Sequence, residues 1–136
     1  MRVFLDANIL FSASWSDGPI RRLLADLHEA GHVCIADGYV WSEAERNLIA
    51  HRSRAVAELH KLGAGIELHS RFAGEGVVLD DTGLPDKSAR VLASAVALSC
   101  DALVTGDRTH FGALWGTTIN GVRVLSPRML AEAFWG

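Results

Sequence analysis

The chain has 136 residues, of which 49% are hydrophobic and 21% charged, and a formal net charge of −3. That length suits about one domain with a sizeable core, and the composition excludes a mainly disordered chain. The charge excludes a global basic field, so a nucleic-acid partner would have to be held by local patches or through metal ions.

Two apolar runs hold the only cysteines, Cys34 and Cys100, without zinc-knuckle or disulfide spacing, which fits a reducing compartment. No run approaches the apolar region of a signal peptide or a membrane span, so a soluble cytoplasmic protein with no membrane partner is expected.

Taken in chain order, Arg2 to Leu5 is short, apolar and bulky, as in a strand buried on both faces, and it ends at Asp6. Asn8 to Ser12 leads through a Ser16-Asp17-Gly18 turn to Pro19, which suits a helix's first turn with Asp17 or Gly18 near the cap. Ile20, Leu23, Leu24 and Leu27 recur at helical spacing, and Gly31 is a C-terminal stop. Val33 to Ala36 is a second strand, giving a β-α-β pattern that argues for parallel pairing.

A helix from about Tyr39 to Leu62 follows. At about 100° per residue, one arc collects Leu48, Ile49, Ala55, Val56, Leu59 and Leu62, and the opposite face Glu43, Arg46, Asn47, His51, Arg54, Glu58 and Lys61. Arg52 falls inside the apolar arc, where a snorkelling stem is its only evident use. Ile66-Glu67-Leu68 and Gly76 to Leu79 read as short strands, and Asp80 to Pro85 as a loop. Residues 88 to 99 read as a helix and 102 to 105 as a strand ending near Asp107. Val122 to Leu125 is the last strand, with Ser126 capping a helix that carries Pro127 at its first position.

Asp6, Glu43 and Asp107 thus stand where a sheet edge would gather them, the place where open α/β folds keep their ligands. Clustered carboxylates repel one another and need protons or cations, and hard oxygen ligands suit Mg²⁺ or Mn²⁺. Such an ion can activate water for attack on a phosphodiester. Each acid also has a plainer reading: Asp6 and Asp107 as helix caps or turn formers, and Glu43 as a solvated helix residue, with Glu45 as the rival acid. Nothing in the chain resembles a Gly-rich phosphate loop or a GxGxxG after the first strand.

The stretches FLDANILFSA, YVWSEAERNL, LASAVALSCDALVTGDRTHFG and INGVRVLSPRML, in that order, resemble a PIN domain, and the likeness is greatest to the VapC toxins of toxin-antitoxin pairs. The resemblance covers nearly the whole chain and is weakest from about Leu62 to Thr82. It implies a three-layer α/β/α sandwich around a central, mainly parallel sheet of four to five strands. It further implies a Mg²⁺ or Mn²⁺ site, cleavage of single-stranded RNA, a homodimer and a small antitoxin partner. Residue by residue, the first, second and fourth family acids fall on Asp6, Glu43 and Asp107, and Thr105 matches a hydroxyl that supports the metal site.

The third acid is missing. Its position, seven residues before Ala95, holds Ser88, with Asp86 two residues earlier. Three readings stay open: Asp86 reaches in despite a difference in direction of about 200° on a helix; the site works with three acids and weaker metal binding; or the protein only binds. In the last case it is a catalytically degenerate RNA-binding or protein-binding module. Candidate substrate contacts are Asn8, Arg46, Arg54, Thr105 and Arg108, and each has a structural alternative as an ordinary polar residue. His110 reads as either an RNA contact or a packed residue. The four tryptophans offer base-stacking surfaces but are as well suited to core contacts.

Overall fold

A computed structural model describes residues 1–136. Its sheet has the order β3-β2-β1-β4-β6-β5, where β1 is Arg2–Leu5, β2 Val33–Asp37, β3 Ile66–His69, β4 Ala102–Val104, β5 Thr118–Ile119 and β6 Val122–Leu125. All neighbours pair in parallel except β5 and β6. The architecture is therefore the expected α/β class with a mainly parallel sheet, at six strands instead of four or five. The extra member is the two-residue β5, too short to carry an alternating pattern.

Parallel strands covered on both faces must be apolar throughout, and Val3, Phe4 and Leu5 of β1 are fully buried. The helices α1 (Ala7–Trp15), α2 (Pro19–Glu29), α3 (Gly38–Arg52), α4 (Val56–Gly63), α5 (Asp86–Ala97), α6 (Arg108–Phe111) and α7 (Pro127–Trp135) complete the fold. One contiguous core joins the sheet to Leu23, Leu27, Leu48, Leu59, Leu92 and Leu130 of the helices. No helix is long and apolar enough to cross a membrane. Both cysteines are free and buried, and burial pushes each thiol up to about 11.

Four expectations need correction. Residues 7–15 form a helix immediately after β1, where the sequence suggested only a lead into a turn. The long helix is broken: α3 ends at Arg52, a 3-10 turn occupies Ser53–Ala55, and α4 follows. At the break Arg52 has φ −160° and its guanidinium lies 4.9 Å from the centre of the Trp15 ring, a cation–π contact. Ile49, assigned to the apolar arc, is instead 59% exposed. Finally, Gly76 to Leu79 is not a strand.

That irregular stretch is fixed by single contacts. A Cβ on Gly38 would lie 2.3 Å from the Ser70 carbonyl oxygen, and one on Gly74 would lie 2.8 Å from Ala93, so backbone meets backbone only because both are glycine. Between them Asp37, fully buried, accepts hydrogen bonds from Val40 N–H (3.2 Å), Ala73 N–H (3.0 Å) and the Ser94 hydroxyl (2.6 Å). One carboxylate thereby ties β2 and α3 to the following segment and to α5. Asp37→Ala strands two buried donors and one half-buried one and is expected to cost about 3 kcal/mol. Urea unfolding of the two proteins measures it, and a loss below about 1 kcal/mol would contradict this role.

Candidate active site

After β3 the chain crosses the sheet to start β4 on the other side of β1, so the carboxyl ends of β1 and β4 flank the topological switch point, where such sheets form a crevice. In register, Leu5 pairs with Val104, which brings the next residues, Asp6 and Thr105, side by side. Asp6 N–H bonds to Val104 O at 3.1 Å, and Thr105 N–H to Leu125 O at 3.0 Å.

Asp6 is the buried centre of the site. Its Oδ1 accepts from Ala7 N–H at 2.7 Å, capping α1, and its Oδ2 accepts from the Thr105 hydroxyl at 2.7 Å and from the Asn8 amide at 3.2 Å. Asn8 completes a clamp: its Nδ2 is 3.3 Å from Thr105 Oγ1, and its Oδ1 accepts from Gly106 N–H at 2.8 Å. Burial raises the Asp6 carboxyl above the ordinary aspartate range; the bonds from Thr105, Ala7 and Asn8 oppose this, and the charge of Glu43 adds to it. Asn8 and Thr105 thus act on the acid itself, as orienting groups.

Asp107 follows by the same connection, its N–H donating to Thr105 Oγ1 at 3.2 Å. Its carboxylate caps α6, accepting from His110 N–H at 3.1 Å, and lies 2.9 Å from His110 Nδ1. Burial alone would raise this group, but the bonds to His110, its charge and the Thr109 N–H outweigh it and hold Asp107 below the ordinary range. Arg108 stands over the ring of Trp115, at 5.8 Å, and that indole N–H donates to Thr105 O.

Glu43, on α3, lines a cavity of about 380 Å³ with Ala7, Asn8, Phe11, Asn47 and His51. Its carboxylate is ion-paired with Lys87 at the start of α5, and the bond to Glu43 pushes the lysine above its ordinary value. Arg46 lies near enough to lower that value through its charge. Glu45, the rival acid, instead bonds His60 at 3.0 Å. Ser88 is buried. Asp86 is exposed and lines a different groove, with Phe72, Gly74 and Ala93, so it is not brought to the other acids. Arg54, on the 3-10 turn beyond α3, shares a depression with Trp15, Ile49 and His51, outside the cavity of Glu43. Trp15, Trp41 and Trp135 are engaged by Arg52, His60 and Asp26 respectively.

A divalent cation fits the chemistry of these hard oxygen donors but not their arrangement, since no three acidic, histidine or cysteine side chains lie close enough together to hold one. Each acid has its own partners instead: Asp6 the Thr105, Asn8 and Ala7 donors, Glu43 Lys87, and Asp107 His110. Sequence reasoning passed over two of the residues involved. Lys87 stands beside the serine already singled out, and Asp37 follows Val-Cys-Ile-Ala as Asp6 follows Arg-Val-Phe-Leu.

No family model matches the sequence, and neither does any curated protein. A chain in the crystal structure of VapBC2 from Rickettsia felis, bound to a DNA fragment from the promoter, superposes with a TM-score of 0.64 over 93% of this chain and 98% of that one, at 15% identity. The likeness is one of fold.

The two aspartates should titrate in opposite directions from the ordinary value. Asp6, raised, adds stability when protonated and loses that contribution as pH rises through its folded value. Asp107, lowered, contributes above its unfolded value and loses that contribution as pH falls through its folded one. Carboxyl ¹³C NMR titration checks the order, and Asp6 titrating below Asp107 would refute the assignment of their environments.

Proposed function

We propose that the chain is a VapC-like endoribonuclease that cleaves single-stranded RNA with Mg²⁺ or Mn²⁺, weakened by Ser88, and is the toxin of a toxin-antitoxin pair. The observation that carries this reading is the Thr105–Asp6–Asn8 cluster at the crevice between β1 and β4, with Asp107 attached to it and Glu43 close enough to perturb Asp6. The fold likeness to VapBC2 supports a small antitoxin as partner.

The chain's own residues support this reading. Thr105 and Asn8 hold the Asp6 carboxylate in one orientation before substrate arrives, which lowers the cost of ordering it later. Arg46, exposed near Glu43, is suited to a phosphate contact, which fixes the strand without reading sequence. Arg108 on Trp115 pairs a cation with an aromatic face, a combination suited to an unpaired base and its backbone.

A second reading, the catalytically degenerate binding module, is favoured by the neutral Ser88 and by the Lys87–Glu43 pair. Labelled single-stranded RNA incubated with Mn²⁺ separates the two. Weak cleavage by the protein is expected, with a gain in Ser88→Asp and a loss of at least about 100-fold in Asp6→Asn. Cleavage indifferent to Asp6→Asn would dismiss the site. RNA retained by all three proteins and cut by none would establish the second reading.

A further inference from the structure

The start of α5 brings Lys87 to the Glu43 carboxylate, and its charge runs against an acidic metal centre. Ser88 is buried and neutral, and Lys87 next to it places an ammonium on the Glu43 carboxylate. With an acid at position 88 the two neighbours would sum to zero; with Ser88 they contribute one positive charge. The Glu43 side chain is only 19% exposed, so its charge is poorly screened by water and takes the nearest cation; Lys87 is 68% exposed. Asp6 and Asp107 make no comparable contact with a lysine or arginine, their bonds going to Thr105, Asn8 and Ala7 and to His110. The crevice therefore has one acid whose partner is the full charge of an exposed lysine.

We propose that Lys87 is a built-in counter-ion of Glu43, occupying the place a divalent cation would take beside that carboxylate, so that metal loading requires Lys87 to be displaced. This rests on the reading of Asp6, Glu43 and Asp107 as the metal-directed set. A cation entering the crevice meets both competition for Glu43 and repulsion from the ammonium. An anionic strand drawn to Lys87 relieves both at once, because it offers the lysine another partner. Divalent binding in this chain is thereby coupled to the occupancy of Lys87.

The test is Mn²⁺ binding alone, followed by calorimetric titration and by the loss of the free-ion electron paramagnetic resonance signal. Lys87→Met and Lys87→Gln should each bind Mn²⁺ at least about fivefold more tightly than the unaltered protein. Lys87→Arg should stay weak, and adding Glu43→Gln to Lys87→Met should remove the gain. Thermal unfolding checks that each variant is folded, which is expected of the exposed Lys87 and is the control for the less exposed Glu43 and Ser88. Unchanged affinity in both Lys87→Met and Lys87→Gln, while Ser88→Asp binds Mn²⁺ well, would overturn the counter-ion role and leave the site reading intact. Failure of Lys87→Met, Ser88→Asp and the double variant to bind at all would overturn both.

Discussion

The hydroxyl of Thr105 is the atom on which the crevice depends. Thr105 is fully buried one step beyond β4, and its Oγ1 donates to Asp6 across the gap between two strands that are neighbours in space and about a hundred residues apart in the chain. The same oxygen accepts from Asp107 N–H and faces the Asn8 amide. A buried carboxylate is costly unless several donors reach it; Ala7 and Asn8 are local to Asp6, but the Thr105 hydroxyl can reach it only if β1 and β4 are in this register. The polar contact and the strand pairing therefore enforce each other.

Capping and chemistry use the same atoms here. Asp6, Asp37, Asp107 and Ser126 each follow a parallel strand and accept a hydrogen bond at the start of the next helix. The plain reading of each aspartate as a helix cap is therefore correct, and it does not decide which of them serves a site. Burial and partners decide. Asp37 is sealed and saturated by donors from separate segments, which makes it a fastening. Asp6 keeps a trace of exposure and lies near enough to Glu43 to feel its charge, and Asp107 is partly open to solvent.

What could be read from the sequence were the parts whose pattern is local. Arg2 to Leu5 shows itself as a strand because burial on both faces leaves no polar residue after Arg2, Val122 to Leu125 because three of its four residues are apolar and buried around the exposed Arg123, and α2 because its apolar residues keep one stripe. The helix α1 is hidden by the opposite circumstance: it packs against α2, α3 and α4, so apolar residues lie on several of its faces and no single stripe emerges. The break at Arg52 is hidden because α3 and α4 both pack on α1, so the buried set continues from Leu48 to Ala55 and Leu59 across the turn. Of residues 70 to 85 only the loop from Asp80 to Pro85 was open to local reading. Their course is fixed by Gly74 against α5, by Ala73 on Asp37, and by Asn120, which donates to Val78 O and accepts from Asp80 N–H.

The candidate site divides along the same line. Asp6, Glu43 and Asp107 were identifiable because each belongs to a strand end or an early helix turn with recognisable neighbours, and the gap at Ser88 because the helix after it fixes the count to Ala95. The Lys87–Glu43 pair was not, since it joins α5 to α3 across the crevice and leaves no spacing to detect. Yet that pair changes the electrostatic character of the site. A metal centre works by making several carboxylates share one strong charge, whereas here each carboxylate has partners of its own. The more completely each acid is satisfied separately, the less any two of them gain by converging, and on the proposed reading Ser88 withholds a charge that would draw a cation while Lys87 supplies a cation already attached to the chain.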